Sequence, residues 1–143
     1  MNTDPIIKEI LIKGTPQQVW KAITEKDEMR KWYFDLIEFR PEVGFLFEFW
    51  GGAEDRQYLH KCEITEVIPF ERLCYSWLYD GFDGESFVTF EIIPQGEETL
   101  VRLTHEGLHT FPKENKDFDK KNFNGGWEAI IKDSLRNHVE HYS

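Results

Sequence analysis

The chain has 143 residues, a formal charge of −10 at pH 7, and a composition that is 40% hydrophobic and 15% aromatic. This length gives room for one domain, expected to span residues 1–143, with a core that buries roughly two thirds of the surface of the unfolded chain. The negative charge argues against nucleic acids and anionic membranes as partners, because both are bound through clustered Lys and Arg. No run approaches the roughly 18 apolar residues of a membrane span, and the N-terminus lacks the features of a signal peptide, so a cytoplasmic protein is expected.

The first predicted elements are a strand and a capped helix. The β-branched run of residues 5–13 predicts a strand that ends at Gly14. Thr15 then caps a helix, with Pro16 at its first position and Gln18 placed to complete a capping box. The expected buried stripe of this helix is Val19, Trp20 and Ile23.

A second short helix is predicted to start near Thr24. Asp27 falls in its first turn, where a carboxylate interacts favourably with the helix dipole. The residues that this helix is expected to bury are Met29, Trp32 and Tyr33. Two helices therefore follow the first strand.

From Leu36 the hydrophobic period changes to two, which is typical of an antiparallel meander. A loop is expected at Gly51 and Gly52, a strand over residues 58–68, and turns at residues 69–72, 83–84 and 95–96. The residues expected to share one face of their strand are Phe45, Phe47 and Phe49, then Leu73, Tyr75, Trp77 and Tyr79, then Val88, Phe90 and Ile92, and finally Val101, Leu103 and His105. The sheet is thus predicted to have six or seven strands.

The two cysteines are predicted to be free. Cys62 and Cys74 fall on the two strands of one hairpin, in which residue 62 should lie opposite a position near 79, so a disulfide is not expected. A metal site would need more soft ligands at closer spacing. Both thiols are therefore interpreted as small buried apolar groups.

The last part of the chain combines a polar connection with an amphipathic helix. After Gly107 the connection is predicted to be too hydrophilic for the core until about Phe123, which is typical of a lid or mobile loop. Beyond Gly125 and Gly126 the apolar residues recur at helical spacing. The inward residues are expected to be Trp127, Ile130, Ile131, Ser134, Leu135, His138 and Val139, and the outward residues Lys132, Asp133, Arg136 and Asn137. This helix should lay its apolar stripe across the sheet.

The order of elements and several short signatures together indicate a family. The signatures are Thr15 and Pro16 with Val19 and Trp20, Trp32, Gly44 with Phe45 and Phe47, Glu66 with Pro69, Leu73 with Ser76 and Trp77, residues 99–105 with Gly107, and Gly126 with Trp127. On these residues the chain resembles the START-like, or SRPBCC, superfamily, and within it the branch named for the C-terminal domain of the activator of the heat-shock-protein-90 ATPase. The resemblance implies an α+β helix-grip fold, in which a curved antiparallel sheet of six or seven strands surrounds a long C-terminal helix and two short helices follow the first strand.

The resemblance also implies a cavity between the sheet and the C-terminal helix, in which family members hold lipids, polyketides, hormones or other apolar molecules. The residues expected to line it are Trp32, Phe47, Phe49, Tyr58, His60, Tyr75, Trp77, Tyr79, Phe90, His105, Trp127 and Ile131. Aromatic walls with a few polar groups suit an apolar ligand that carries one or two hydrogen-bonding groups. The same rings could instead simply fill the core, and both interpretations stay open for Tyr58, Trp77 and Tyr79, whereas Trp20 and Trp127 are interpreted as core clamps.

Candidate catalytic groups are weaker. His60 and His105 could act as general bases beside Glu48, Glu66 or Glu106, but strand phase places Glu48 and Glu106 on the outer face. Ser76 lacks the flanking glycines of a nucleophile elbow. His105 and His109 would face together as metal ligands only on a helix, which the sequence does not predict there. No catalytic residue, metal or cofactor is therefore predicted.

Three functions remain open from the sequence. The first is a cytoplasmic binding domain for an apolar or aromatic small molecule, with a polar contact from His60 or Tyr79 and no chemistry. The second is a chaperone-associated protein-interaction domain of the stress response, which would use an acidic surface and an open sheet edge. The third is a cyclase or dehydratase on the same scaffold. A binding domain is favoured over an enzyme, and the chain is expected to be a monomer or a homodimer.

Overall fold

The computed structural model describes residues 5–33, 38–53 and 56–142. Within these residues the strands form one antiparallel sheet, and they are β1 (Ile6–Ile12), β2 (Leu46–Ala53), β3 (Arg56–Ile68), β4 (Arg72–Tyr79), β5 (Ser86–Gln95) and β6 (Glu98–Glu106). Their order across the sheet is β1-β6-β5-β4-β3-β2. The chain after residue 38 is therefore a meander in which each strand pairs with the next, and β1 closes the sheet against β6.

The helices lie before and after this meander. They are α1 (Pro16–Thr24), α2 (Lys26–Trp32), α3 (Lys120–Trp127), a π-helical segment (Glu128–Leu135) and α4 (Arg136–Tyr142), the last three of which form one continuous C-terminal helix. Short 3-10 turns at Leu108–Thr110 and Lys116–Phe118 connect β6 to this helix. This arrangement confirms the predicted helix-grip fold. Among the described helices, none combines the length and the apolar character needed to cross a membrane.

The start of α1 follows the sequence prediction. The Thr15 side chain accepts a hydrogen bond from the Gln18 N–H, and the Gln18 side chain accepts one from the Thr15 N–H, so the capping box is complete. Val19 and Ile23 are buried, but Trp20 is only partly buried and lies against Phe70, with ring centroids 6.1 Å apart. Trp20 is therefore a rim residue of the core.

The second helix begins two residues later than predicted. Thr24 belongs to α1, and its hydroxyl donates to the Trp20 carbonyl over 2.6 Å. Extended backbone at Glu25 then separates α1 from α2. Met29 and Trp32 are buried as expected, whereas Tyr33 lies just beyond the helix and is partly buried.

The inner face of the sheet shows the predicted alternation. The buried inner residues include Phe47, Phe49, Leu73, Tyr75, Trp77, Tyr79, Val88, Phe90, Ile92, Val101, Leu103 and His105. Phe45 precedes β2 and is partly buried against this core. Leu36, where the change of period was placed, lies outside the described residues.

Two predictions about β2 and β3 are wrong in detail. The chain does not leave the sheet at Gly51 and Gly52, because β2 continues through both to Ala53, which pairs with Arg56. Position 79 lies opposite residue 60 rather than 62, since the hairpin turns around Phe70 and a register shift between Ile64 and Glu66 moves the pairing. Both cysteines are free, as predicted, but only Cys62 is buried, whereas Cys74 is partly exposed.

The connection after Gly107 differs most from expectation. Phe111 and Phe118 are only 4% and 6% exposed, so this predicted polar loop inserts two rings into the core. The C-terminal helix also begins earlier, at Lys120, and runs through Gly125 and Gly126. These two buried rings fix the segment to the core, whereas a surface loop would bury no large apolar side chain.

The C-terminal helix buries a stripe with a spacing of four residues: Trp127, Ile131, Leu135 and Val139. In an α-helix of 3.6 residues per turn, residues four apart drift by about 40° around the axis. The π-helical winding of Glu128–Leu135 is wider and offsets this drift, so the stripe keeps facing the sheet. His138 also ties the helix to α2, with its Nε2 2.7 Å from a Glu28 carboxylate oxygen.

Candidate functional site

The residues predicted to line a cavity come together between the inner face of the sheet and the C-terminal helix. All of them except Tyr58 are more than nine-tenths buried. β2 and β3 supply Phe47, Phe49 and His60, whereas β4 to β6 supply Tyr75, Trp77, Tyr79, Phe90 and His105, and α2 and the C-terminal helix supply Trp32, Trp127 and Ile131. Whether this cluster binds a ligand stays a prediction.

Trp77 is the centre of the cluster. Its ring centroid lies within 6.5 Å of five other rings, which belong to Phe49, His60, Tyr79, His105 and Trp127. The five rings come from β2, β3, β4, β6 and the C-terminal helix. A substitution at Trp77 would therefore alter packing against both the sheet and the C-terminal helix.

The indole N–H of Trp77 is buried and has no hydrogen-bond acceptor among the described residues, and Trp77 is 4% exposed. The Tyr79 hydroxyl is the polar group beside it: burial raises the pKa of Tyr79, and the nearby Trp77 side chain lowers it in opposition. The two groups are neighbours, but no hydrogen bond of acceptable distance and angle joins them. An unpaired buried donor costs about 1–3 kcal/mol, so this N–H is a point where an added acceptor would be stabilising.

His105 belongs to a closed hydrogen-bond chain. The Trp127 indole N–H donates to His105 Nδ1 over 2.9 Å, so the imidazole proton must reside on Nε2, which lies 2.8 Å from Ser86 Oγ. Ser86 Oγ in turn donates to the Trp77 carbonyl over 2.9 Å. Burial, with a smaller contribution from His60, lowers the pKa of His105 to about 3. Both ring nitrogens are occupied and the ring is neutral, so His105 is a structural residue rather than a general base.

His60 is also held as a neutral imidazole. Its Nδ1 donates to the Tyr58 carbonyl over 2.9 Å, and its ring stacks on Phe49 with centroids 4.5 Å apart. Burial lowers the pKa of His60 to about 4, although backbone hydrogen bonds to Tyr58 and Phe49 partly oppose the shift. The inward orientation predicted from strand phase is confirmed for both histidines.

Tyr33 and Tyr75 form a polar pair that sequence reasoning missed. Their hydroxyl oxygens are 2.9 Å apart, and burial raises the pKa of both well above the usual value. The Tyr33 ring stacks against Trp32 and Trp127. The signal for Tyr33 was its place on the buried side of the second helix, but its partner lies on a distant strand.

Tyr58 fastens the connection after β6 over one end of the cluster. Its hydroxyl donates to the Asp117 carboxylate over 2.6 Å and accepts from the Asn115 side-chain amide over 3.1 Å. Phe118, next to these residues, stacks on Tyr79 with centroids 4.5 Å apart. Residues 108–118 are therefore a cover that is latched by Tyr58 and packed by Phe111 and Phe118.

The interior is uncharged. Among the described side chains, no Lys, Arg, Asp or Glu is buried. Glu48 and Glu106 face outward as strand phase predicted, and Glu66 lies 3.4 Å from Arg72 on the surface. In the described part of the chain no three His, Cys, Asp or Glu residues are grouped to hold a metal ion.

A concavity lies on the outer face of β2, β3 and β4, where no site was predicted. It has a volume of about 670 Å³, and its walls include the carboxylates of Glu38, Glu48, Glu63 and Glu85. Leu46 and Leu78 contribute apolar surface, and Leu46 is 68% exposed. Lys61 lies among the carboxylates and pairs with Asp80 over 3.1 Å. We call this feature the outer groove.

Comparisons with known proteins agree with the helix-grip fold. The family model described as Activator of Hsp90 ATPase homolog 1-like protein matches residues 13–140. Among solved structures, the Chromobacterium violaceum protein CV1439 is 21% identical, with a TM-score of 0.80, and the match covers 96% of this chain and 97% of that one. DynU16, a protein of the dynemicin biosynthetic locus, is 18% identical with a TM-score of 0.80, and the match covers 98% of this chain and 48% of DynU16.

A third similar structure is the Aha1 dimer from Colwellia psychrerythraea, which is 22% identical with a TM-score of 0.70 and 96% coverage of both chains. At these identities the likeness to solved structures shows the fold alone. A search of curated proteins gave no match.

Proposed function

The chain belongs to the family of Activator of Hsp90 ATPase homolog 1-like proteins, and from this premise we propose that it binds an apolar or aromatic small molecule between the sheet and the C-terminal helix. The observation that carries the proposal is the buried indole N–H of Trp77, which lies at the centre of an aromatic cluster and has no acceptor within the part of the chain that the structure describes. A core that served packing alone would gain stability by pairing or removing that donor. A hydrogen-bond acceptor on a ligand would pair with the Trp77 N–H.

The cover over the cluster supplies a route for the ligand. Phe111 and Phe118 pack on Tyr79 with centroids 5.1 and 4.5 Å apart, and the Tyr58 hydroxyl bond to Asp117 is the polar latch nearby. Release of this latch would move two rings and expose Tyr79. A ligand ring would then replace the contacts that Phe118 makes in the free protein.

The driving force would be burial of apolar surface. A ring system the size of a Trp side chain buries up to about 250 Å², which corresponds to roughly 6 kcal/mol at 25 cal/mol per Å². Immobilisation of the ligand and opening of the cover offset part of this gain. The membership of DynU16 in a biosynthetic locus is consistent with small-molecule binding on this fold.

Native mass spectrometry of the purified protein, compared with a denatured sample, tests the proposal. We expect a bound mass that is lost on denaturation, or, for empty protein, binding of added uncharged two-ring aromatic compounds. Tyr79→Leu should weaken binding, because it removes a ring that lies beside Trp77 and Phe118. Leu46→Ala on the exposed outer face is the matched control and should bind normally. A protein that is both empty and unable to bind any of these compounds would refute the proposal.

The outer groove favours protein interaction as a second candidate function. The groove is acidic, and Leu46 and Trp50, both on the outer face of β2, are 68% and 63% exposed. Exposed apolar groups beside charges are typical of a protein-binding surface. The family description suggests an Hsp90-type chaperone as the partner.

A binding assay with a purified Hsp90-type chaperone tests this second candidate. Leu46→Ser and Trp50→Ser should weaken the complex, because both remove exposed apolar area. Tyr79→Leu should leave the complex intact, because Tyr79 faces the interior. Equal binding by all of these variants, or no binding by the wild-type protein, would reject the outer groove as a chaperone site.

A further inference from the structure

We infer that the ligand of the interior is uncharged and presents a hydrogen-bond acceptor, such as a ketone oxygen, to the indole N–H of Trp77. This inference rests on the proposed function and specifies its ligand class. It follows from the polar groups of the cluster and from the charges around it.

The hydrogen bonds within the cluster leave the Trp77 indole N–H unsatisfied. His105 accepts from Trp127 and lies within hydrogen-bond distance of Ser86, while the Tyr33 and Tyr75 hydroxyls bond to each other. The Trp77 N–H is the buried side-chain donor in this cluster that lacks an acceptor within the described residues. A ligand that offers an acceptor there regains a hydrogen bond that water supplied in the unfolded chain.

The charges around the cluster exclude an anion. No described Lys or Arg side chain is buried, so a carboxylate would enter without a counter-ion. His60 and His105 are both neutral, because burial lowers the pKa of each far below 7. At the rim, the Asp117 carboxylate beside Tyr58 would repel a negative group. Burial of an unpaired carboxylate costs several kcal/mol.

A cation is excluded by the same donor. Aromatic rings do attract cations, and this cluster is rich in rings. A cationic group nevertheless offers no acceptor, so it would leave the Trp77 N–H unpaired and place positive charge next to a hydrogen-bond donor. No buried carboxylate among the described residues compensates for this repulsion.

The test uses four probes of nearly equal shape at pH 7, with affinities measured by titration calorimetry. They are 2-acetylnaphthalene, its hydrocarbon analogue 2-isopropenylnaphthalene, the anion 2-naphthoate and the cation 2-naphthylmethylammonium. We expect the ketone to bind roughly tenfold more tightly than the hydrocarbon, which is the effect of one recovered hydrogen bond. Both ions should bind at least about 100-fold more weakly than the ketone.

The variant Trp77→Phe removes the donor and keeps a ring. It should bring the affinities of the ketone and the hydrocarbon to near equality, while both ions remain excluded. If Trp77→Phe does not fold, the wild-type protein still decides the question by NMR. The Trp77 indole proton should then shift downfield with the ketone and not with the hydrocarbon, while that of exposed Trp50 stays unchanged.

The outcomes separate the inference from the function on which it rests. If the hydrocarbon or either ion binds as tightly as the ketone, the inferred ligand class is wrong although the interior still binds small molecules. If none of the four probes binds and the purified protein carries no bound mass, the proposed function itself fails. A ketone preference that survives Trp77→Phe would also overturn the assignment of the donor.

Discussion

Lowering the pH from 8 to 5 should destabilise the folded protein through its two buried imidazoles. Burial lowers the pKa of His60 to about 4 and that of His105 to about 3, from an ordinary value of 6.5. Below pH 6.5 both residues bind a proton in the unfolded chain but not in the folded protein, so acid favours unfolding. The destabilisation that the two imidazoles cause is absent well above pH 6.5. It grows as the pH falls, until the pH reaches their pKa values in the folded protein.

The magnitude follows from the distance between pH 5 and the unfolded pKa. Each imidazole lowers the free energy of unfolding by roughly 2 kcal/mol at pH 5, because pH 5 lies 1.5 units below the unfolded pKa of about 6.5 and each unit is worth about 1.36 kcal/mol. The two together cost roughly 4 kcal/mol, a large part of the 5–15 kcal/mol that stabilises a typical domain. Glu128, whose pKa is lowered to about 2 by Lys8 and Lys132, loses its ion pairs only at lower pH.

Urea unfolding at pH 8, 7, 6 and 5 and constant ionic strength measures this loss. His60→Asn keeps the hydrogen bond to the Tyr58 carbonyl without a titrating ring, and His105→Gln keeps a polar group opposite Ser86. Each variant should lose about half of the pH dependence, and the double variant nearly all of it. A wild-type loss below about 1 kcal/mol, or a double variant with an unchanged pH dependence, would refute the reasoning.

Three further predictions concern the cover and the hydrogen-bond chain. Gly84→Ala should lower the free energy of unfolding by about 2 kcal/mol or more, because φ at Gly84 is +113° and the new Cβ would lie 2.6 Å from the Thr110 carbonyl oxygen. Gly96→Ala is the control: its φ is +66° and the space around it is open, so it should lower the melting temperature less. Tyr58→Phe should speed proteolysis of residues 108–118, because it removes the latch; unchanged cleavage would contradict the latch. Ser86→Ala should cost about 2 kcal/mol in urea, since two buried groups lose their partner; a neutral effect would contradict the chain.

Regular patterns made the main elements predictable. Alternation in β4 placed Leu73, Tyr75 and Trp77 on the buried face, because a strand has a period of two and its inner face must be apolar. Thr15 and Gln18 located the start of α1, because a capping box is a local interaction that sequence spacing specifies. The family followed from the same local signatures.

Irregular and long-range features were not predictable. Phe111 and Phe118 sit among polar residues at no fixed period, and only their contacts with Tyr79 reveal them as core. Gly125 and Gly126 suggested a helix start, but they lie on the exposed side of a helix that packing of Phe123 and Trp127 extends back to Lys120. In such a case tertiary packing outweighs the low helix propensity of glycine.

The polar contacts of the site depend on pairs that are distant in sequence. Tyr33 meets Tyr75, and Trp127 meets His105, across separations of 42 and 22 residues. The hydrophobic periodicity of a strand or helix shows that such residues point inward, but it does not show which side-chain atoms come into contact. The unpaired Trp77 N–H could be recognised only after all of its neighbours were in place.

Isotope-filtered NOE spectroscopy of the labelled protein with unlabelled 2-acetylnaphthalene tests the central claim most directly, because it reports which side chains touch the ligand. Binding between the sheet and the C-terminal helix predicts contacts from the naphthalene protons to Trp77, Trp127 and Ile131. Contacts confined to Leu46 and Leu78 would place the ligand in the outer groove and contradict the claim.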